Sequence, residues 1–196
     1  MTLPICPDDI NDETIAGAFH RRGYCLIPNA LEINLASSIC AHIQQLAANG
    51  LTRSDNLVPG TPASYGNPLI ETVLRKLVPS IEEWCGCRVF PTYSYFRIYK
   101  HGDVLNRHRD RPSCEISLSV SVGFSGGQPW PLFIEGEGGA FAAAMRVGDG
   151  LLYKGGLPHW REPFTGSMAA QVFFHYVDQN GPNSEWRNDK RTDPRF

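Results

Sequence analysis

At Cys87 the hydrophobic period of this chain changes, and that change limits the fold more than any other feature. Before it, apolar residues recur at helical spacing: Leu35, Ile39, Ile43 and Leu46 on one stretch, Leu69, Val73, Leu77 and Ile81 on another. After it, Val89 to Tyr99 is dense in aromatic and β-branched residues, which suit strands. Ile116 to Val122 alternates apolar residues with serine, a period of two. Pro131 to Ile134, Ala140 to Val147, Leu151 to Tyr153 and Ala169 to Val177 add short strand patterns between glycine-rich turns. Many short strands at regular spacing predict a sandwich or barrel with the earlier helices flanking it, a mainly β, α+β architecture. The 19 glycines and 15 prolines support turns over long helices.

In the first half, Asn11-Asp12-Glu13 reads as the cap of a helix that carries Ile15, Ala18 and Phe19 and ends near Gly23. Tyr24 to Ile27 reads as a strand and Leu35 to Ala48 as a helix stopped by Gly50. Thr52 to Asn67, rich in Pro, Gly, Ser and Asn, reads as a long loop able to cover a binding site, and Pro68 to Trp84 as one more helix. The tail from Asp178 to Phe196 is polar, either loosely held or packed over an edge. With no internal repeat and no linker, the expectation is one domain over 1–196: helical support in 1–87, a strand core in 88–177 and a tail in 178–196.

Bulk properties exclude several classes. A formal net charge of -2 with no basic stripe argues against a nucleic-acid partner. No run approaches the ~18 apolar residues of a membrane span. The first residues have neither the basic nor the apolar region of an export signal, so a cytoplasmic protein with reduced thiols is expected despite six cysteines. Cys85-Gly-Cys87 lacks the two-residue gap of zinc and redox motifs and reads as buried thiols beside a turn. No Gly-x-Ser-x-Gly elbow points to a serine hydrolase.

The chemistry-bearing feature is His108-Arg109-Asp110 taken with His159. Residues two apart on an extended segment share a face, so the His108 and Asp110 side chains point together and Arg109 points away. Strands that wrap into a barrel can return His159 to that face. Two imidazoles and a carboxylate on one side of a divalent transition metal leave the opposite positions open for reactants. Taken alone, His-x-Asp is a weak signal, and NRHRDRP also fits an exposed polar turn.

The surrounding segments strengthen it. Tyr99-Lys100-His101-Gly102 stands nine residues ahead of His108. Leu118 to Phe124 is followed by Gly126-Gly127, and Gly148 to Tyr153 precedes His159. In this order the pieces resemble the prolyl-4-hydroxylase-like branch of the 2-oxoglutarate/Fe(II) dioxygenases, a match confined to roughly the C-terminal half. The resemblance implies a double-stranded β-helix (a cupin-like jelly roll) with the N-terminal helices packed on one sheet. It implies His108, Asp110 and His159 as iron ligands, Fe(II), 2-oxoglutarate and O2 as the reacting partners, and Tyr99 as a hydrogen-bond donor to 2-oxoglutarate. Related halogenases carry a small residue at the carboxylate position, so Asp110 favours hydroxylation, or desaturation or cyclisation. The small chain suits a small-molecule substrate such as an amino acid or natural-product intermediate. A peptidyl hydroxylase is the alternative, and a non-catalytic cupin-like module the alternative of another class. Trp130 and Trp160 are candidates for apolar walls, with a buried core place the reading preferred for at least one, and Arg109 and Arg111 are candidates for a substrate carboxylate, with solvated charges the default.

One departure stands out. The family places an Arg or Lys about two residues after a glycine on the strand beyond the distal His, to bind the far carboxylate of 2-oxoglutarate. Here that glycine is Gly166, and Ser167, Met168 and Ala169 follow, with no Arg or Lys up to Asp178. A dicarboxylate in a partly dry pocket needs a cation. Arg161, two residues past His159, and Arg97, two before Tyr99, are the candidates by parity.

Overall fold

The computed structural model describes residues 14–192. Four helices precede most of the strands: α1 (Ile15–Arg22), α2 (Ile33–Ala48), α3 (Pro68–Lys76) and α4 (Val78–Cys85). The strands are β1 (Tyr24–Ile27), β2 (Ala63–Tyr65), β3 (Val89–Lys100), β4 (Leu105–His108), β5 (Ile116–Ser125), β6 (Leu132–Gly136), β7 (Gly139–Ala143), β8 (Gly150–Lys154), β9 (His159–Arg161) and β10 (Met168–Asp178). They form a six-stranded sheet in the order β1-β8-β5-β10-β3-β2 and a four-stranded sheet in the order β4-β9-β6-β7. Every pairing is antiparallel. This is the helix-flanked sandwich predicted by the change of period at Cys87, with the jelly-roll arrangement that the resemblance implies.

Local chemistry sets the helix ends. Thr14 caps α1, its hydroxyl accepting from Gly17 N–H at 3.1 Å, and Gly23 closes it at φ 79°, a left-handed conformation that favours glycine. The expected cap at Asn11-Asp12-Glu13 lies outside the described residues. The single helix expected over Pro68 to Trp84 is two, divided at Leu77. Pro79 has no N–H to give the Arg75 carbonyl, so the helical ladder cannot run through it. The expected loop from Thr52 to Asn67 contains β2, which pairs with β3 at Ala63↔Arg97, and a bridge between Arg53 and Ala63.

Two apolar cores lie on opposite faces of the large sheet. On one face Ile116, Leu118, Val120 and Val122 of β5 meet Ile39 and Ile43 of α2 and Ile81 of α4, all nearly or fully buried. The other face, with Tyr99, Leu151 and Tyr153, closes against Leu132 and Ile134 of the small sheet. The serines of β5 therefore point into the barrel: Ser119 stands opposite Phe173 and Ser121 opposite Gln171. Alternation of apolar and polar residues ordinarily puts the polar set in water. Here it puts a polar row inside.

The tail packs over an edge. Glu71 is buried, accepts from Ser94 N–H at 2.7 Å and from the Ser94 hydroxyl at 3.0 Å, and pairs with Arg191 at 3.0 Å. A short 3-10 segment, Ser184–Lys190, lies against β3 just before that ion pair. No helix among the described residues is long and apolar enough to cross a membrane.

Candidate metal centre

The small sheet brings the two histidines together. β4 ends at His108 and β9 begins at His159, and the two are register partners with ring centroids 4.2 Å apart. Asp110 follows β4 and is drawn in by its own N–H, which donates to the Gly155 carbonyl at 2.8 Å. Ligand atoms of His108, Asp110 and His159 lie within 4.8 Å of one another.

Gly155 is the pivot of this arrangement. Its N–H donates to the Glu115 carbonyl at 3.0 Å, and a β-carbon there would collide with the Cys114 carbonyl and press on Asp110. Gly155→Ala is therefore expected to cost about 1–3 kcal/mol of stability through overpacking and to weaken Mn(II) binding at the same time. Urea unfolding and metal titration check it, and unchanged metal affinity would show that Gly155 does not place Asp110.

Backbone contacts fix the imidazoles. His108 Nδ1 lies 2.8 Å from the Asn106 carbonyl and His159 Nδ1 lies 2.9 Å from the Leu157 carbonyl. A carbonyl oxygen only accepts, so each Nδ1 carries the proton and each Nε2 of a neutral ring presents a lone pair. Burial pushes both histidine pKa values down, with the neighbouring His159 adding to the effect on His108, so the neutral form is favoured. The two Nε2 atoms stand 3.7 and 3.6 Å from Asp110 Oδ1, too far for hydrogen bonds. Three electron-pair donors thus face one another unbonded, a geometry that a divalent cation resolves. Burial also raises the Asp110 carboxyl to about 6 against the lowering effect of His108. Its Oδ2 has only long contacts, Tyr153 hydroxyl at 3.4 Å and Ser117 hydroxyl at 3.5 Å.

A cavity of about 190 Å³ opens from the three ligands. Tyr99, Leu105 and Leu132, all buried, form its inner end, while Asp55, Leu57 and Tyr95 line its more exposed side. A larger cleft of about 470 Å³ touches Asp110 but neither histidine.

Arg161 is the register partner of Leu105 and is wholly buried. Its Nη1 donates to the Trp130 carbonyl, and its Nε and Nη2 have no protein partner. Burial pulls its pKa down to about 10. Arg97, nearly as buried, donates to the Tyr99 hydroxyl at 3.3 Å and forms an ion pair with Asp55, leaving only Nε unpartnered. Ser119 Oγ and Gln171 Oε1 are also buried without a protein partner on the inward faces of β5 and β10. On β10 the inward residue opposite Tyr99 is Ala169, which is small and uncharged.

Other candidates fall elsewhere. Trp130 packs in the core and donates to the Glu162 carbonyl at 2.9 Å, and Trp160 stacks on Phe133 with centroids 5.5 Å apart. Neither lines the cavity, which corrects their expected role as walls. Arg109 turns away onto the Gly156 carbonyl, and Arg111 pairs with Asp189 at 2.8 Å, so neither stands ready for a substrate carboxylate. Asp55, Tyr95, Ser119, Gln171 and His175 surround the interior without having been singled out from the sequence. The serine alternation of β5 hinted at Ser119, and the loop reading of Thr52 to Asn67 at Asp55, without marking either residue.

No family model and no curated protein matches this sequence. Solved structures do match. A prolyl-4-hydroxylase from Pseudomonas putida superposes with a TM-score of 0.69 at 14% identity, over 84% of this chain and 97% of that one. An oxidoreductase of the 2OG-Fe(II) oxygenase family from Burkholderia pseudomallei gives 0.68 at 14% identity, over 92% and 96%. HygX from Streptomyces hygroscopicus, with nickel and 2-oxoglutarate bound, gives 0.67 at 12% identity, over 83% and 85%. The fold of this chain is the one these 2-oxoglutarate/Fe(II) oxygenase structures share.

Proposed function

We propose that the protein is a non-haem Fe(II)- and 2-oxoglutarate-dependent oxygenase that hydroxylates an unactivated C–H bond of a small molecule. The observation that carries this reading is the set of three unbonded donor atoms at the cavity, His108 Nε2, His159 Nε2 and Asp110 Oδ1, together with a buried, incompletely partnered guanidinium, Arg161, the register partner of the cavity residue Leu105. The donor atoms suit a divalent cation and the guanidinium a dicarboxylate. Bound there, ferrous iron supplies the oxidation, in which O2 converts 2-oxoglutarate to succinate and CO2 and one oxygen atom enters the substrate.

His108, Asp110 and His159 would hold the iron. Arg161 would take the far carboxylate of 2-oxoglutarate through its fork of donors, with the Tyr99 hydroxyl beside it. Arg97 is the second candidate for that anchor, and its existing partner Asp55 makes it the weaker one. Leu105, Leu132 and Tyr153 would keep water from the reacting end. Asp110, a carboxylate, keeps the third ligand position on the protein and favours hydroxylation. A cavity of about 190 Å³ is smaller than those that enclose drug-sized ligands, which supports a small substrate over a peptide segment. Free thiols at Cys40, Cys85, Cys87 and Cys114 support a reducing, cytoplasmic setting.

The test is anaerobic loading with Fe(II) followed by exposure to air with 2-oxoglutarate. One iron per chain and Fe(II)-dependent succinate release are expected. Bound iron without succinate would leave a metalloenzyme or cupin-like module that does not use 2-oxoglutarate.

A further inference from the structure

The Asp55–Arg97 ion pair lines the cavity and, with Arg161 as the anchor, has no part in the proposed chemistry. Arg97 is 3% exposed and sits on β3, pointing inward. It is flanked by the rings of Tyr95 and Tyr99, whose centroids are 5.4 and 5.5 Å from its guanidinium carbon. Asp55 comes from the loop ahead of β2 and is 34% exposed. Its two oxygens have separate tasks. Oδ1 accepts from Leu57 N–H at 2.9 Å and Val58 N–H at 3.1 Å, which shapes the loop. Oδ2 receives Arg97 and the Tyr95 hydroxyl. Burial would raise the Asp55 pKa, but the Tyr95 and Val58 hydrogen bonds and the Arg97 charge together hold it below the usual value, so it is an anion at neutral pH.

The charges in this cavity limit its occupant. On the proposed reading, which this inference rests on, the two positive charges of the iron and the one of Arg161 offset Asp110 and the two carboxylates of 2-oxoglutarate. Arg111 is matched by Asp189 and Arg107 by Glu135. What faces the remaining space is one anion and one cation, Asp55 and Arg97. A substrate of single net charge would neutralise one of them and strand the other in a half-buried site, which is costly. A substrate that carries both signs close together can part the pair and satisfy each member.

We propose that the substrate is a small zwitterion of the α-amino acid type, its carboxylate held by Arg97 and its ammonium by Asp55 Oδ2. The Arg97 Nε that lacks a protein partner adds a further donor for the carboxylate. Tyr93, Tyr95 and Phe173 line the same space and would receive a side chain with apolar character. Asp55 is free to follow the ammonium because only one of its oxygens is committed to the loop.

The experiment uses the Fe(II)-loaded enzyme with 2-oxoglutarate and the twenty common L-amino acids, each also as its methyl ester and its N-acetyl derivative. Two readouts separate the claims. The visible charge-transfer absorption of the anaerobic Fe(II)–2-oxoglutarate enzyme reports the underlying reading, and stimulation of succinate release in air reports the substrate. At least one free amino acid is expected to stimulate release, with its ester and N-acetyl forms weaker by about tenfold to a hundredfold, the range for losing a charged hydrogen bond. Asp55→Asn should erase the preference for the free amine over the N-acetyl form, and Arg97→Gln the preference for the free acid over the ester. Asp55 lies on a partly exposed loop, so D55N carries the test even if R97Q does not fold. Full charge-transfer absorption with no stimulation by any free amino acid would overturn the zwitterion alone, as would esters or N-acetyl forms acting as well as their parents. Absence of the absorption would overturn the 2-oxoglutarate reading and this inference with it.

Discussion

Asp110→Ala is expected to stop succinate release, with a loss on the order of a thousandfold or more, beyond the 10–100-fold typical of residues that merely support a metal ligand. The carboxylate supplies the only anionic donor of the set, and His108 and His159 alone leave the cation with two neutral ligands. Iron content measured beside activity separates this from a failure of chemistry: both should fall together. Misfolding makes the opposite forecast for stability. Burial raises the Asp110 pKa to about 6, so near pH 7 the folded, metal-free protein holds a carboxylate in an environment that disfavours its charge. That cost is absent below the ordinary carboxyl pKa of 3.8, grows as pH rises from there to about 6, and is complete above it. The metal-free alanine variant should therefore melt no lower than the metal-free parent at pH 7. A marked drop in melting temperature would assign Asp110 a structural part instead.

Arg161→Leu is expected to raise the KM for 2-oxoglutarate by about a hundredfold or more while iron binding survives, since two charged hydrogen bonds are removed. The same change has a second consequence of opposite sign. Without 2-oxoglutarate the guanidinium is a fully buried cation with two unpartnered nitrogens, and its pKa falls from the usual 12.5 to about 10. A base whose pKa is depressed by folding costs stability at every pH below the folded value and ceases to cost it only above the unfolded one. Leucine removes that cost, so the variant alone should be as stable as the parent or more so, and should gain little from added 2-oxoglutarate that stabilises the parent. Thermal melts with and without 2-oxoglutarate, next to kinetics, give both numbers. An unchanged KM would shift the anchor to Arg97.

Most helices and strands were legible in the sequence because each depends on short-range pattern, whereas the candidate donor set of His108, Asp110 and His159 was reached through the resemblance of the segments around it. A period of two at Ile116–Val122 and a period near 3.6 at Leu35–Leu46 declare themselves within a few residues. His108 and Asp110 share a face through spacing alone, and Arg161 follows His159 by the same parity. Features that arise only when distant segments meet were hidden. The three residues of β2 are too few to show a period, and only pairing with β3 makes them a strand. The division of the helix at Leu77 was written in Pro79, but the apolar rhythm through Leu77 and Ile81 masked it. Asp55 and Arg97 stand 42 positions apart, and nothing local marks either as the partner of the other. The serines of β5 looked like an ordinary wet face because alternation tells which residues share a side, not which side encloses a cavity.

Those inward serines change what entry into the barrel means energetically. Ser119 and Gln171 keep polar atoms inside that no neighbour satisfies, so the barrel interior offers polar sites beside its hydrocarbon, and any solvent there would be held by only a few donors and acceptors. A charged guest such as 2-oxoglutarate swaps that solvent for fixed partners and covers little hydrocarbon in doing so. Its association should accordingly carry a small heat-capacity change, with released water rather than greasy contact as the driving gain.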